Sequence, residues 1–112
     1  MDKVNVLGSS YVIHYRKECE DVRLKGLDGY IDYTAHEILI RRQERGEHSC
    51  KDPAVVERDT LRHELIHAFL HESGLNSSSL GVEAWASNEE MVDWLALQMP
   101  KIVKVMEEAG AL

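Results

Sequence analysis

Five consecutive residues, His63-Glu64-Leu65-Ile66-His67, combine side-chain types and a spacing suited to metal-assisted hydrolysis. Two imidazoles four residues apart share one face of a helix and can reach the same divalent ion. The glutamate after the first histidine points ~100° round the helix, toward a water beside the ion rather than the ion itself. A zinc ion with three protein ligands and one open position acidifies such a water, and a nearby carboxylate takes its proton. The expectation is one Zn2+, held in part by His63 and His67, with Glu64 as catalytic general base toward a peptide bond.

Two histidines leave the ligand set short by one. His71 continues the even spacing, but His63 and His71 are separated by ~12 Å of helical rise, whereas a zinc–nitrogen bond spans only ~2 Å. An extended motif with a third histidine needs a glycine turn after His67, and Ala68-Phe69-Leu70 supplies none. His71 is therefore read as a helix-end residue favoured by the dipole, or as part of a cleft rim. Glu89 is the better third ligand. It opens a second helix 22 residues beyond His67, far enough for the chain to turn back. Asp93, four residues on, lies on the same face and can accept the outer N–H of a liganding imidazole. Glu90 and Glu83 stay open as substitutes, and Glu89-Glu90 also reads as an acidic first turn that complements the helix dipole.

These side chains need elements to carry them. Asp52-Pro53 is a helix start, with Asp as N-cap and Pro at the first helical position, and Gly74 is a stop. Leu61, Leu65 and Ala68 form an arc opposite the histidines, while Val56, Ile66 and Leu70 flank them. A helix apolar on two sides belongs between layers, so the histidine strip is expected to line an interior cleft. Upstream, Val4–Leu7 and Tyr11–Tyr15 read as strands around the turn Gly8-Ser9-Ser10. Residues 16–28 read as a charged loop. Tyr30–Tyr33 and Glu37–Arg41 read as a hairpin broken at Thr34-Ala35-His36, and residues 42–51 as a polar loop. Residues 75–87 form a serine-rich connection, either a plain linker or a lid. Asn88 caps a helix to about Met99, Pro100 breaks it, and a short helix follows over 101–109. The expected class is α+β: one small domain over residues 1–112, a mostly antiparallel N-terminal sheet packed on the metal-binding helix and C-terminal helices.

Composition limits the partners. The chain has 112 residues, 44% of them hydrophobic and 29% charged, which suits one globular domain. A net charge of −7 argues against affinity for nucleic acid or anionic membranes, leaving a protein or peptide substrate as the expected partner. Cys19 and Cys50 belong to no metal-type pair and are read as free thiols in a reducing, cytoplasmic setting. Residues Met1–Gly8 carry no secretory signal pattern, and no run is long enough to span a bilayer. Composition leaves the oligomeric state undetermined.

Asn88-Glu89 with Asp93 resembles the Asn-Glu-x-x-x-Asp segment of the gluzincins, the thermolysin-like metallopeptidases. The run from Glu89 to Met99-Pro100 resembles the corresponding segment of ImmA/IrrE-type metallopeptidases, which are frequent in phages and mobile elements of bacteria. At Met91, Val92 and Trp94 the chain departs from that pattern. The resemblance spans about residues 60–100. It implies a zincin-like fold, Glu89 as third zinc ligand and Asp93 as support for a zinc-bound histidine. It also implies that Glu37–Arg41, preceding the metal helix, acts as an edge strand that pairs with an extended substrate. Tyr15, Tyr33, His14, His36 and His48 are unranked candidates for a donor to the reacting carbonyl. Three other readings compete: a zinc-stabilised regulatory module without catalysis, a non-haem iron oxygenase built on two histidines and a carboxylate, and a SprT-like DNA-associated protease. Glu64 counts against the first, and the acidic composition against the last.

Overall fold

The computed structural model describes residues 2–46, 49–81, 83–109 and 112. Its sheet has four strands, β1 (Asp2–Val6), β2 (Ser9–Arg16), β3 (Gly29–Asp32) and β4 (Glu37–Arg41), in the order β1-β2-β4-β3. The helices are α1 (Pro53–Glu72), a single turn α2 (Leu75–Ser78) and α3 (Glu89–Glu108). The architecture is α+β, and among the described residues no helix is long and apolar enough to cross a membrane.

β1 and β2 pair antiparallel around a two-residue turn at Leu7-Gly8, one step earlier than the serines suggested. Both turn residues have positive φ, +50° and +99°, as the hairpin turn that matches strand twist requires. Gly8 meets that demand without cost, and its N–H donates to Asn5 Oδ1 at 2.8 Å. β3 and β4 form the expected antiparallel hairpin, but β4 also pairs in parallel with β2, so the sheet is mixed. β4 is therefore an interior strand, which corrects its expected place at the edge; the edges are β1 and β3. The signal was present in Ile38-Leu39-Ile40, three consecutive buried residues rather than an alternation. Such a run marks a strand covered on both faces.

α1 lies across one face of the sheet. Ala68, with Leu61 and Leu65 beside it, closes a core made with Val6, Tyr11, Ile13, Ile38 and Ile40. Gly29 allows β3 to come close: a Cβ there would sit 2.8 Å from both the Leu39 carbonyl and Thr60 Cγ2. The other side of α1 meets α3, so the helix does sit between two layers. Pro53 starts α1 and Gly74, at φ +81°, follows its end. Asp52 occupies the cap position without a side-chain cap bond.

α3 departs from the expected pair of short helices. Pro100 lies inside one helix of 20 residues. A proline there leaves the carbonyl four residues earlier without its partner and costs ~3 kcal/mol. The residues that follow offset this locally: Lys101, Lys104, Met106, Glu107 and Glu108 are good helix formers, and no glycine or asparagine stops the helix before Ala109. Among its described residues the serine-rich connection contains α2 and a hydrogen-bonded serine. Buried Ser79 donates to Asn76 O at 3.0 Å and accepts from Ala86 N at 3.2 Å. Cys19 and Cys50 are free and exposed.

One polar cluster fixes the approach to α1. Glu57 is 5% exposed and accepts from Gln43 N at 2.8 Å, Arg42 at 3.2 Å and Arg45 at 3.1 Å. Burial pushes its carboxyl up, but the Arg45 hydrogen bond, the Gln43 N–H and the two arginine charges outweigh that and hold it below the usual range. The arginines are half exposed and rehydrate if released, so loss of Glu57 costs less than a fully buried pair would. Glu57→Ala is expected to lower unfolding free energy by about 2 kcal/mol in urea titration.

Candidate metal centre

Each ligand position follows from helical repeat. His63 and His67 face the same way on α1, and Glu89 and Asp93 do so on α3. As α1 advances from His63 to His67, α3 runs back from Asp93 to Glu89, so the helices cross antiparallel with these pairs opposed. Asn88 starts α3 by accepting from Met91 N at 2.9 Å, which sets Glu89 at the first helical position.

The structure brings His63, His67 and Glu89 together: one ligand atom from each lies within 4.8 Å of the others, the one such group among the described residues. Glu89 Oε1 is 2.8 Å from His67 Nε2, and its Oε2 is 3.1 Å from His63 Nε2. A neutral imidazole nitrogen and a carboxylate oxygen are both acceptors, so each contact needs a proton or a cation between its atoms. Burial lowers the His67 pKa, an effect that the nearby Glu89 charge opposes, and the net direction favours the neutral ring. Tetrahedral zinc with ~2.0–2.2 Å bonds would separate its ligands by roughly 3.3 Å. The two carboxylate contacts lie near that spacing and the whole set within 4.8 Å, so the donor types suit a zinc ion that would draw the three side chains together.

Asp93 Oδ1 lies 2.6 Å from His63 Nδ1. With Nδ1–H donating there, Nε2 keeps its lone pair for the ligand position. Glu90 and Glu83 are exposed and do not join the group. The cleft is less interior than the sequence suggested: the histidines are half-buried, but Glu89 is 64% exposed, so α3 forms an open rim.

Glu64 points into the same cleft at 6% exposure and is not among the ligand atoms. Burial pushes its carboxyl up to about 7 from 4.5; Glu89 adds to the rise and the His63 charge opposes it. A raised carboxyl pKa means that the folded protein holds a proton which the unfolded chain has released. Stability of the metal-free protein should therefore fall as pH rises from about 4.5 through 7. Over that window the loss is about 3 kcal/mol. Metal-free Glu64→Gln should be more stable than wild type by that amount at pH 8 and equal to it near pH 4, read by denaturant midpoints.

Of the sequence candidates among the described residues, Tyr33 lines this cleft; Tyr30 lines it too, but its hydroxyl donates to Asp21 Oδ2 at 2.6 Å. The Tyr33 phenol is pushed up to about 12 by burial, with the Glu64 and Glu89 charges adding to the rise. Tyr15 instead carries Arg42 over its ring at 4.6 Å, His14 pairs with Glu37, and His36 stacks on Tyr11. His48 lies outside the described residues. His71 is not a ligand; it stacks on Tyr33 with centroids 4.0 Å apart and planes 20° apart. A long-range aromatic contact of this kind leaves no trace in sequence spacing.

The cleft, ≈ 740 Å3 in volume, runs between β3, α1 and α3, and Gly29, Tyr30 and Ile31 line one wall. Compared with protein-family models, curated proteins and solved structures, the chain has no match in any of the three.

Proposed function

We propose that this chain is a zinc-dependent metallopeptidase of the zincin-like class, acting on a protein or peptide substrate. The observation that carries the reading is the convergence of His63, His67 and Glu89 beside a buried carboxylate, Glu64, that is not itself a ligand. A structural zinc site is usually closed by four ligands and richer in cysteine, and has no use for such a group.

His63, His67 and Glu89 would hold the zinc, which would supply Lewis acidity toward a water and a carbonyl oxygen. Glu64 holds the proton that the water gives up and returns it to the departing amine. Its place in the cleft, buried and outside the ligand set, suits a group that takes up and returns one proton. Asp93 keeps His63 in the tautomer that leaves Nε2 available. The free edge of β3, in place of the expected β4, runs along the cleft wall and can align an extended peptide by main-chain hydrogen bonds. The free thiols fit a reducing compartment such as the cytoplasm.

The test is elemental analysis of purified protein with digestion of a mixed peptide pool read by mass spectrometry. The expected result is one zinc per chain and cleavage that stops on chelation and returns with zinc. A zinc-loaded protein that cuts no peptide would overturn the reading.

A further inference from the structure

The outward face of α3 is symmetric in position and opposite in charge about one residue. Glu90 and Asp93 precede Leu97 by seven and four residues, and Lys101 and Lys104 follow it by four and seven. At ~100° per residue these five positions fall within about 80° of arc, on one side of the helix. We propose that this face is the contact between two copies of the chain, which pack α3 against α3, antiparallel, about a two-fold axis beside Leu97.

A two-fold contact requires that when residue i of one copy meets residue j of the other, j also meets i. Equal offsets about Leu97 satisfy this. Antiparallel packing sets Asp93 opposite Lys101 of the second copy and Glu90 opposite Lys104 of the second copy, each pairing occurring twice. Parallel packing sets acid against acid and lysine against lysine, so charge alone selects the direction. Leu97 meets its own counterpart at the axis, with Trp94 beside it to add a broad apolar surface.

The face is free to do this. Val92 and Ala96 turn the opposite side of α3 toward the body of the protein, where both are buried. Trp94 and Leu97 are 56% and 53% exposed, the wrong residue types for a face meant only for water. Glu90, Lys101 and Lys104 are exposed and have no ion-pair partner among the described residues. Asp93 uses Oδ1 on His63, which leaves Oδ2 for Lys101 of the second copy. Residues 90 to 104 span ~21 Å of helix. One helix face of that length is a small interface, so association falls in the micromolar range and weakens with salt. Asp93 and Leu97 also line the cleft, and the second copy's α3 therefore runs along its rim.

The experiment is sedimentation velocity on the full chain from ~1 μM to ~1 mM, at low and at high salt. Wild type is expected to pass from monomer to dimer over that range, with association about tenfold weaker at high salt. Leu97→Glu, which opposes two carboxylates at the axis, should weaken it by about 100-fold. Glu90→Lys and Lys104→Glu should each weaken self-association by about tenfold, because each opposes like charges twice. Mixed in equal amounts, these two variants should form a heterodimer at near wild-type affinity, since every opposed pair is then unlike in sign. Circular dichroism on the same samples checks that each variant keeps its helices. A wild-type chain that stays monomeric at ~1 mM overturns the proposal. So does a dimer that survives Leu97→Glu, or a mixture that associates no better than either variant alone. Peptide cleavage is not read in any arm, so these outcomes are separate from those that test the peptidase reading.

Discussion

Zinc-loaded Glu64→Gln is expected to keep its metal and to lose about 10³-fold in peptide-cleaving rate. The expectation follows from where Glu64 sits. It is 6% exposed, lines the same cleft as the ligands and contributes no ligand atom, so its amide isostere disturbs neither the donor set nor the packing. What is lost is a carboxylate able to take and return one proton near neutral pH. The wild-type rate should also fall on the acid side with an apparent pKa set by the zinc-loaded site, and that limb should disappear in the residual activity of the variant. Steady-state rates on one peptide, with zinc content measured on the same samples, check both points. Equal loss of zinc and activity would make Glu64 a structural element of the site. Full activity in the variant would remove its role as base.

Removing a ligand should act on the metal first. Apparent zinc-binding energies of ~10–16 kcal/mol shared over four ligands give about 2.5–4 kcal/mol for each, or roughly 10²–10³-fold in affinity. His67→Ala and Glu89→Ala are each expected to weaken zinc binding by that factor in competition titrations with a chromogenic chelator. Asp93→Asn, which touches only His63, should cost about 10–100-fold. On the proposed reading, with zinc bound by the folded chain alone, free metal at 100 times its dissociation constant should add about 2.7 kcal/mol to wild-type stability and raise its Tm. Glu89→Ala that retains stoichiometric zinc at wild-type affinity would exclude Glu89 from the ligand set. The same samples separate the iron-oxygenase reading, since metal as isolated would then be iron with oxygen reactivity rather than zinc.

Much of the site lay within reach of local rules. The i, i+4 spacing on α1 follows from 3.6 residues per turn and holds wherever that helix packs. Its bounds were marked by Pro53, whose fixed φ suits a first helical position, and by Gly74, and the start of α3 by Asn88, which caps a neighbouring backbone N–H. His71 was removed from the ligand set by helical rise alone. Glu89 came from chain economy, as a carboxylate at a helix start after a connection long enough to turn back.

What tertiary packing decided involves groups distant in sequence or energies summed over many contacts. Strand order is one case: a hairpin signal gives the β3–β4 pairing but not the parallel partner β2, which places β4 inside the sheet and leaves β3 along the cleft. The continuous helix through Pro100 is another, because a penalty of ~3 kcal/mol can be absorbed by the residues on either side. Tyr33 was one of five unranked candidates, and only the fold shows that it lines the cleft and stacks on His71. The Glu57 cluster joins a helix to a loop through side chains with no regular spacing. Helical periodicity is short-ranged and so could be read along the chain, whereas cleft walls, stacked rings and sheet edges are set by burying apolar surface over the whole domain.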